Sequence, residues 1–172
     1  MQLGITIPLQ KHLKIKNLSY GEATELFFCW ELHIIRFQGR NTLVAVNANN
    51  RFMVLLSGMK VGDWKRLEKC LKEAITLGFA SEGYTDVQIQ KYFMLAGDEM
   101  VMTKTHGRKP VAGLNKAIEY LSYIPIRINK EEQYQAVHCH KINRDICSPI
   151  GFETYGYPVE FLAKDMQRVG II

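Results

Sequence analysis

Residues 30–56 read WELHIIRFQGRNTLVAVNANNRFMVLL, and the class of fold turns on this stretch. From Trp30 to Phe37, apolar Trp30, Leu32 and Ile34 alternate with Glu31, His33 and Ile35, which is the two-residue period of a half-buried strand. Gly39-Arg40-Asn41 supplies turn chemistry, and Thr42 to Val46 is β-branched and apolar. Asn47-Ala48-Asn49-Asn50 supplies a second turn before the apolar run Phe52 to Leu56. Three strands joined by short turns predict an antiparallel β-meander.

Upstream, Leu3 to Ile7 reads as a short strand ending at Pro8, and Leu9 to Ile15 as one or two helical turns. Downstream the period changes. Asp63 is the expected N-cap of a helix in which Trp64, Leu67, Leu71, Ala74 and Ile75 share one face and Gly78 ends the segment. Thr85-Asp86-Val87-Gln88 fits a capping box, with Tyr84 and Ile89 placed to form a hydrophobic staple, and this helix runs to Ala96 before Gly97. Met100 to Thr103 reads as a strand, and Pro110 as the start of a helix carrying Val111, Leu114, Ile118 and Leu121 on one side. Gln133 to Ile142 satisfies either period, with a strand preferred, and Pro158 opens a last helix bearing Phe161, Leu162, Met166 and Val169. The expected architecture is α+β, an antiparallel β-meander packed against several amphipathic helices in a single domain spanning 1–172.

The bulk numbers agree with a folded chain. It has 172 residues, 47% of them hydrophobic and 23% charged. A chain of this length buries about 70% of the surface its unfolded form exposes, enough to fold without disulfides or metal. The net charge of +5 favours anionic partners, although Lys and Arg are spread along the chain rather than massed as in dedicated nucleic-acid binders. The four cysteines, at 29, 70, 139 and 147, form no CxxC pair. With no secretory leader pattern, they read as reduced thiols in a cytoplasmic protein. No apolar run reaches the length of a membrane span, so no membrane partner is expected.

The stretch with most chemical content is Lys104-Thr105-His106-Gly107-Arg108-Lys109, followed by Pro110 and Asn115. A strand ending near Thr103 and a helix starting at Pro110 would set these residues at a helix N-terminus, where free amides and the helix dipole favour an anion. The candidate anion-binding residues are Lys104, Thr105, Arg108 and Asn115, with His106 and Lys109 as accessories. The glycine spacing is not that of a P-loop. A competing reading makes the stretch a solvated basic loop whose Arg and Asn brace neighbouring carbonyls. His138-Cys139-His140 with Cys147 gives only three plausible local ligands where a structural zinc site wants four, so no metal site is read. Cys29 or Cys147 beside a histidine carries no nucleophile signature, and no catalytic set and no cofactor motif emerge.

Four landmarks in order resemble a bacterial family known as domain of unknown function 6933. They are the strand pair ending in Val46-Asn47 and resuming at Phe52 to Leu56, the amphipathic helix Asp63 to Leu77, Lys104-Thr105-x-x-Arg108 with Leu114-Asn115, and Cys147-Ser148-Pro149-Ile150-Gly151 before a Pro-initiated helix. The chain departs from the family pattern at Ala112, where the family has glycine, and at Pro110. It also has Ala48 and Lys116 where an acidic residue often follows each asparagine. The resemblance implies a shared fold and a role for the 104–115 turn, and no reaction.

Three functions stay open at this stage. The first is a binding module holding a phosphorylated ligand or nucleic-acid backbone at the 104–115 turn. The second is a protein-interaction or regulatory component with a protein partner, such as half of a toxin–antitoxin or defence pair. The third is a nuclease or other phosphoryl-cleaving hydrolase; the balance leans away from an enzyme.

Overall fold

Residues 1–22, 25–97 and 99–172 are described by the structure, a computed structural model. The meander forms as the alternation demands: β2 (Cys29–Phe37), β3 (Arg40–Asn47) and β4 (Met53–Ser57) pair antiparallel in sequence. Two more strands widen it into a five-stranded sheet of order β4-β3-β2-β1-β5. β1 (Gln2–Ile5) lies parallel to both β2 and β5 (Val101–Lys104). The sheet is therefore mixed, and the purely antiparallel expectation is corrected. The reason lies in the connections. β1 turns into α1 (Ile7–Leu13) and the chain crosses back to enter β2 in the same direction, while β4 reaches β5 only through three successive helices. Long crossovers of this kind permit parallel pairing, which a tight hairpin cannot.

Both faces of the sheet are covered, so successive side chains of one strand enter different cores. Leu43, Ala45, Val54 and Leu56 face one way, against α1, α3 (Leu67–Ser81), α4 (Asp86–Ala96) and α7 (Pro158–Arg168). Val44, Val46, Met53 and Leu55 face the other way, against α5 (Arg108–Tyr123) and α6 (Ala136–Ile142). A two-sided cover explains why β3 and β4 are apolar almost throughout.

Local differences have local causes. The short α2 (Val61–Trp64) precedes the long helix, and Asp63 sits in its first turn, accepting from the Lys60 amide at 2.8 Å rather than capping α3. The box predicted at Thr85 forms, with the Gln88 side chain returning to the Thr85 amide at 2.8 Å. The segment 133–142 is a correction: only its first residues extend along the outer edge of β4, through Gln133 O and the Gln135 amide, and the remainder is α6. His138, Cys139 and Ile142 are buried while Val137 and His140 are exposed, which is a helical spacing.

Candidate functional site

β5 ends at Lys104 and α5 begins at Arg108, two residues before the expected proline start. Between them Gly107 is the N-cap, at φ 109° and ψ −178°, a conformation nearly reserved for glycine. As glycine it offers no capping side chain, and the first turn of the helix contains no acidic residue. Lys104, Arg108 and Lys109 are exposed, and among the described residues none has a carboxylate within ion-pair distance. The Lys104 ammonium stands 4.3 Å from the centroid of the exposed Tyr20 ring, a cation–π contact.

His106 turns inward. Its backbone N–H and its Nδ1 both donate to Glu31 Oε1, at 2.8 and 2.7 Å, and Nε2 lies 3.3 Å from Gln2 Oε1. The His106 side chain is 5% exposed and Glu31 0%. Burial alone would lower the His106 pKa, but the neighbouring Cys29 and Glu31 outweigh it and raise the group to about 9, so the imidazolium persists at neutral pH. Glycine at position 4 makes this approach possible, because a methyl group there would collide with Glu31 Oε2 and lie 2.9 Å from His106 Nδ1. Among the described residues Glu31 Oε2 has no hydrogen-bond partner, so the pair is held by one carboxylate oxygen. The strand-to-helix turn thus already holds one anion, and that anion belongs to the chain.

The other candidates divide by position. Arg108 and Asn115 are seven residues apart, close to two helical turns, and share the solvent face of α5. Thr105 is partly buried beside Lys104. On the covered side of α5, Gly113 lets Arg51 lie against the helix, a methyl there falling 2.9 Å from Arg51 Nε. Arg51 itself adopts a left-handed backbone, φ 66°, at the end of the β3–β4 turn.

A second polar cluster escaped sequence reasoning. Asp165 of α7 is fully buried, and the side-chain amides of Asn49 and Asn50 donate to it at 2.9 Å. Arg168 bridges Asp165 to Glu25. Burial raises the Asp165 pKa, against the opposing effect of those donors. The Gly151 amide donates to Asn49 O at 3.1 Å, so the segment before α7 closes over the same turn. The spacing from 49 to 165 left no local signal for this cluster. His138 and His140 project from different sides of α6, and the His138 imidazole stands 3.2 Å from Ile126 O. Among the described residues, no group of three His, Cys, Asp or Glu is placed to hold a metal. All four cysteines are buried and unpaired, and no described helix is long and apolar enough to cross a membrane.

The strand pair, the helical stretch from Asp63 to Leu77, the basic turn and the segment closing on Asn49 are the four landmarks of the resemblance, all within the described residues. The family described as Domain of unknown function (DUF6933) matches residues 2–161. The chain belongs to the DUF6933 family. That match contains the whole sheet, the His106–Glu31 pair and the first turn of α7, and stops before Asp165. No curated protein matches this DUF6933 chain.

Proposed function

We propose that the chain is a binding module for phosphate-type anions, nucleic-acid backbone included, acting through the entry to α5. The observation that carries this reading is a charge mismatch. The positive end of a 16-residue helix bears Arg108 and Lys109, with Lys104 just before it, where the dipole favours acidic residues. Cations there repel the helix end by about 0.3–1 kcal/mol each at exposed positions, and a bound anion reverses that sign. Free amides at the cap and three exposed cations are the donors that such an anion requires. The buried His106–Glu31 pair supports the turn from below while leaving its outer surface cationic.

A phosphoryl-cleaving role draws less support, because His106 is engaged by Glu31 and nearly inaccessible. The test is binding to a short single-stranded and a double-stranded oligonucleotide across a range of salt. Replacing Lys104, Arg108 and Lys109 by alanine should weaken binding and reduce the salt slope by about one for each phosphate that is no longer neutralised. Affinity and slope equal to those of the unaltered chain, with the melting transition intact, would overturn the reading.

A further inference from the structure

A second groove lies away from the α5 entry, with no lining residue in common with it. β1 and β4 run in the same direction, and each passes at its C-terminal end into a helix on the same side of the sheet, α1 and α2. Between these helices is a cavity of about 710 Å³. Its apolar floor is Leu13, Met59 and Trp64, and its rim carries Lys14, Lys60 and Lys65. Open sheets with parallel strands commonly take ligands beyond the carboxyl ends of the strands, and the volume suits a small molecule.

Three features of the lining define the ligand. All three lysines are exposed, no acidic residue lines the groove, and no ion pair among the described residues engages them. The nearby Asp63 is occupied by the Lys60 amide, Gln133 and Arg66. Lysines act as point charges towards phosphate, and three of them suit a dianion better than a single carboxylate. The exposed His12 ring meets Trp64 edge-on, at 4.7 Å between centroids and 70° between planes, leaving imidazole surface for a flat partner. The third feature is polar: exposed Asn41 offers an amide at the same rim, above the largely buried Trp64.

We propose that this groove binds a nucleoside monophosphate, its phosphate among Lys14, Lys60 and Lys65 and its base against His12 and the apolar floor. The site is separate from the α5 entry, and either can fail without the other. Calorimetry with AMP is the test, read beside adenosine and inorganic phosphate, with intrinsic fluorescence reporting on Trp64. Trp30, the other tryptophan, is fully buried and donates to Tyr92 Oη at 2.9 Å, so it should stay silent. AMP should saturate the fluorescence change at Trp64, and adenosine or phosphate alone should produce that change about tenfold more weakly. Lys60→Glu with Lys65→Glu should weaken the AMP affinity reported by Trp64 about tenfold or more, whereas Lys104→Ala with Arg108→Ala, which alters only the α5 entry, should leave that signal unchanged. Should the double reversal lose its melting transition, Lys65→Glu alone is read for the same loss. Absence of saturable binding by AMP, GMP, CMP and UMP at millimolar concentration would overturn the proposal. So would a Trp64-reported AMP affinity indifferent to the lysine reversals, or inorganic phosphate acting on Trp64 as tightly as AMP.

Discussion

The single residue with the widest reach is Glu31, a buried carboxylate that receives two donors from His106 on the same oxygen. Against the opposing effect of burial, Cys29 and Glu31 together raise the folded-state pKa of His106 to about 9, above the roughly 6.5 of an unfolded histidine. A group raised in this way contributes its stability fully below the unfolded value and loses it as pH climbs through the folded one. Stability linked to His106 protonation, of which the Glu31 pair is one part beside Cys29, should therefore be complete below about pH 6.5 and gone above about pH 9, a change on the order of 2–3 kcal/mol. Glu31→Gln should lower the His106 pKa, seen by ring-proton NMR titration, and flatten urea-derived stability across that interval. An unchanged pH slope in the variant would assign the linkage elsewhere. The sequence displayed Glu31 plainly, between Trp30 and Leu32, yet alternation placed it on a solvated face. Nothing local reveals that a turn 75 residues later folds over it.

Elements were legible in proportion to how much of their physics is local. The meander and the Thr85 capping box depend on alternation, turn residues and a four-residue cap, and the structure contains them. The pairing of β1 depends on crossovers, and four residues of strand carry no information about which neighbours they will have. Segment 133–142 was ambiguous because its apolar positions satisfy both periods, and its contact with the edge of β4 resolved only the first residues as extended. The α5 entry was located correctly in sequence, although its first turn starts at Arg108 because Gly107 can adopt a backbone other residues avoid. Gly107→Ala should thus cost about 1–3 kcal/mol by strain alone, since a methyl group there meets nothing within 4 Å. Gly62→Ala in α2 is the matching control: it also meets nothing within 4 Å, is not in a positive-φ conformation, and should be neutral or stabilising by roughly 0.5–1 kcal/mol. Equal losses in both variants, measured by chemical denaturation, would refute the strain argument.

On the scale of the whole molecule, the C-terminal helix is part of the core. Leu162, Met166 and Ile171 join the larger apolar cluster, and Asp165 accepts the side-chain amides of the β3–β4 turn. Ending the chain at residue 161, where the family match stops, should abolish cooperative unfolding. It removes those apolar groups and leaves the Asn49 and Asn50 donors buried without their acceptor. A sharp thermal transition near that of the full chain would contradict this.

The place of β1 also sets a timetable. It lies between β2 and β5, yet Gln2 and its partner Val101 are 99 residues apart (101 − 2). At the roughly 5–20 residues per second of synthesis, about 5–20 s separate the emergence of the two strands. Once β2 has paired with it and until β5 arrives, Leu3 and Ile5 belong to an edge with one ladder unmade, and an unpaired apolar edge is a template for the wrong partner. The nascent chain is therefore most exposed to misassembly after the meander has emerged and before residue 104 follows.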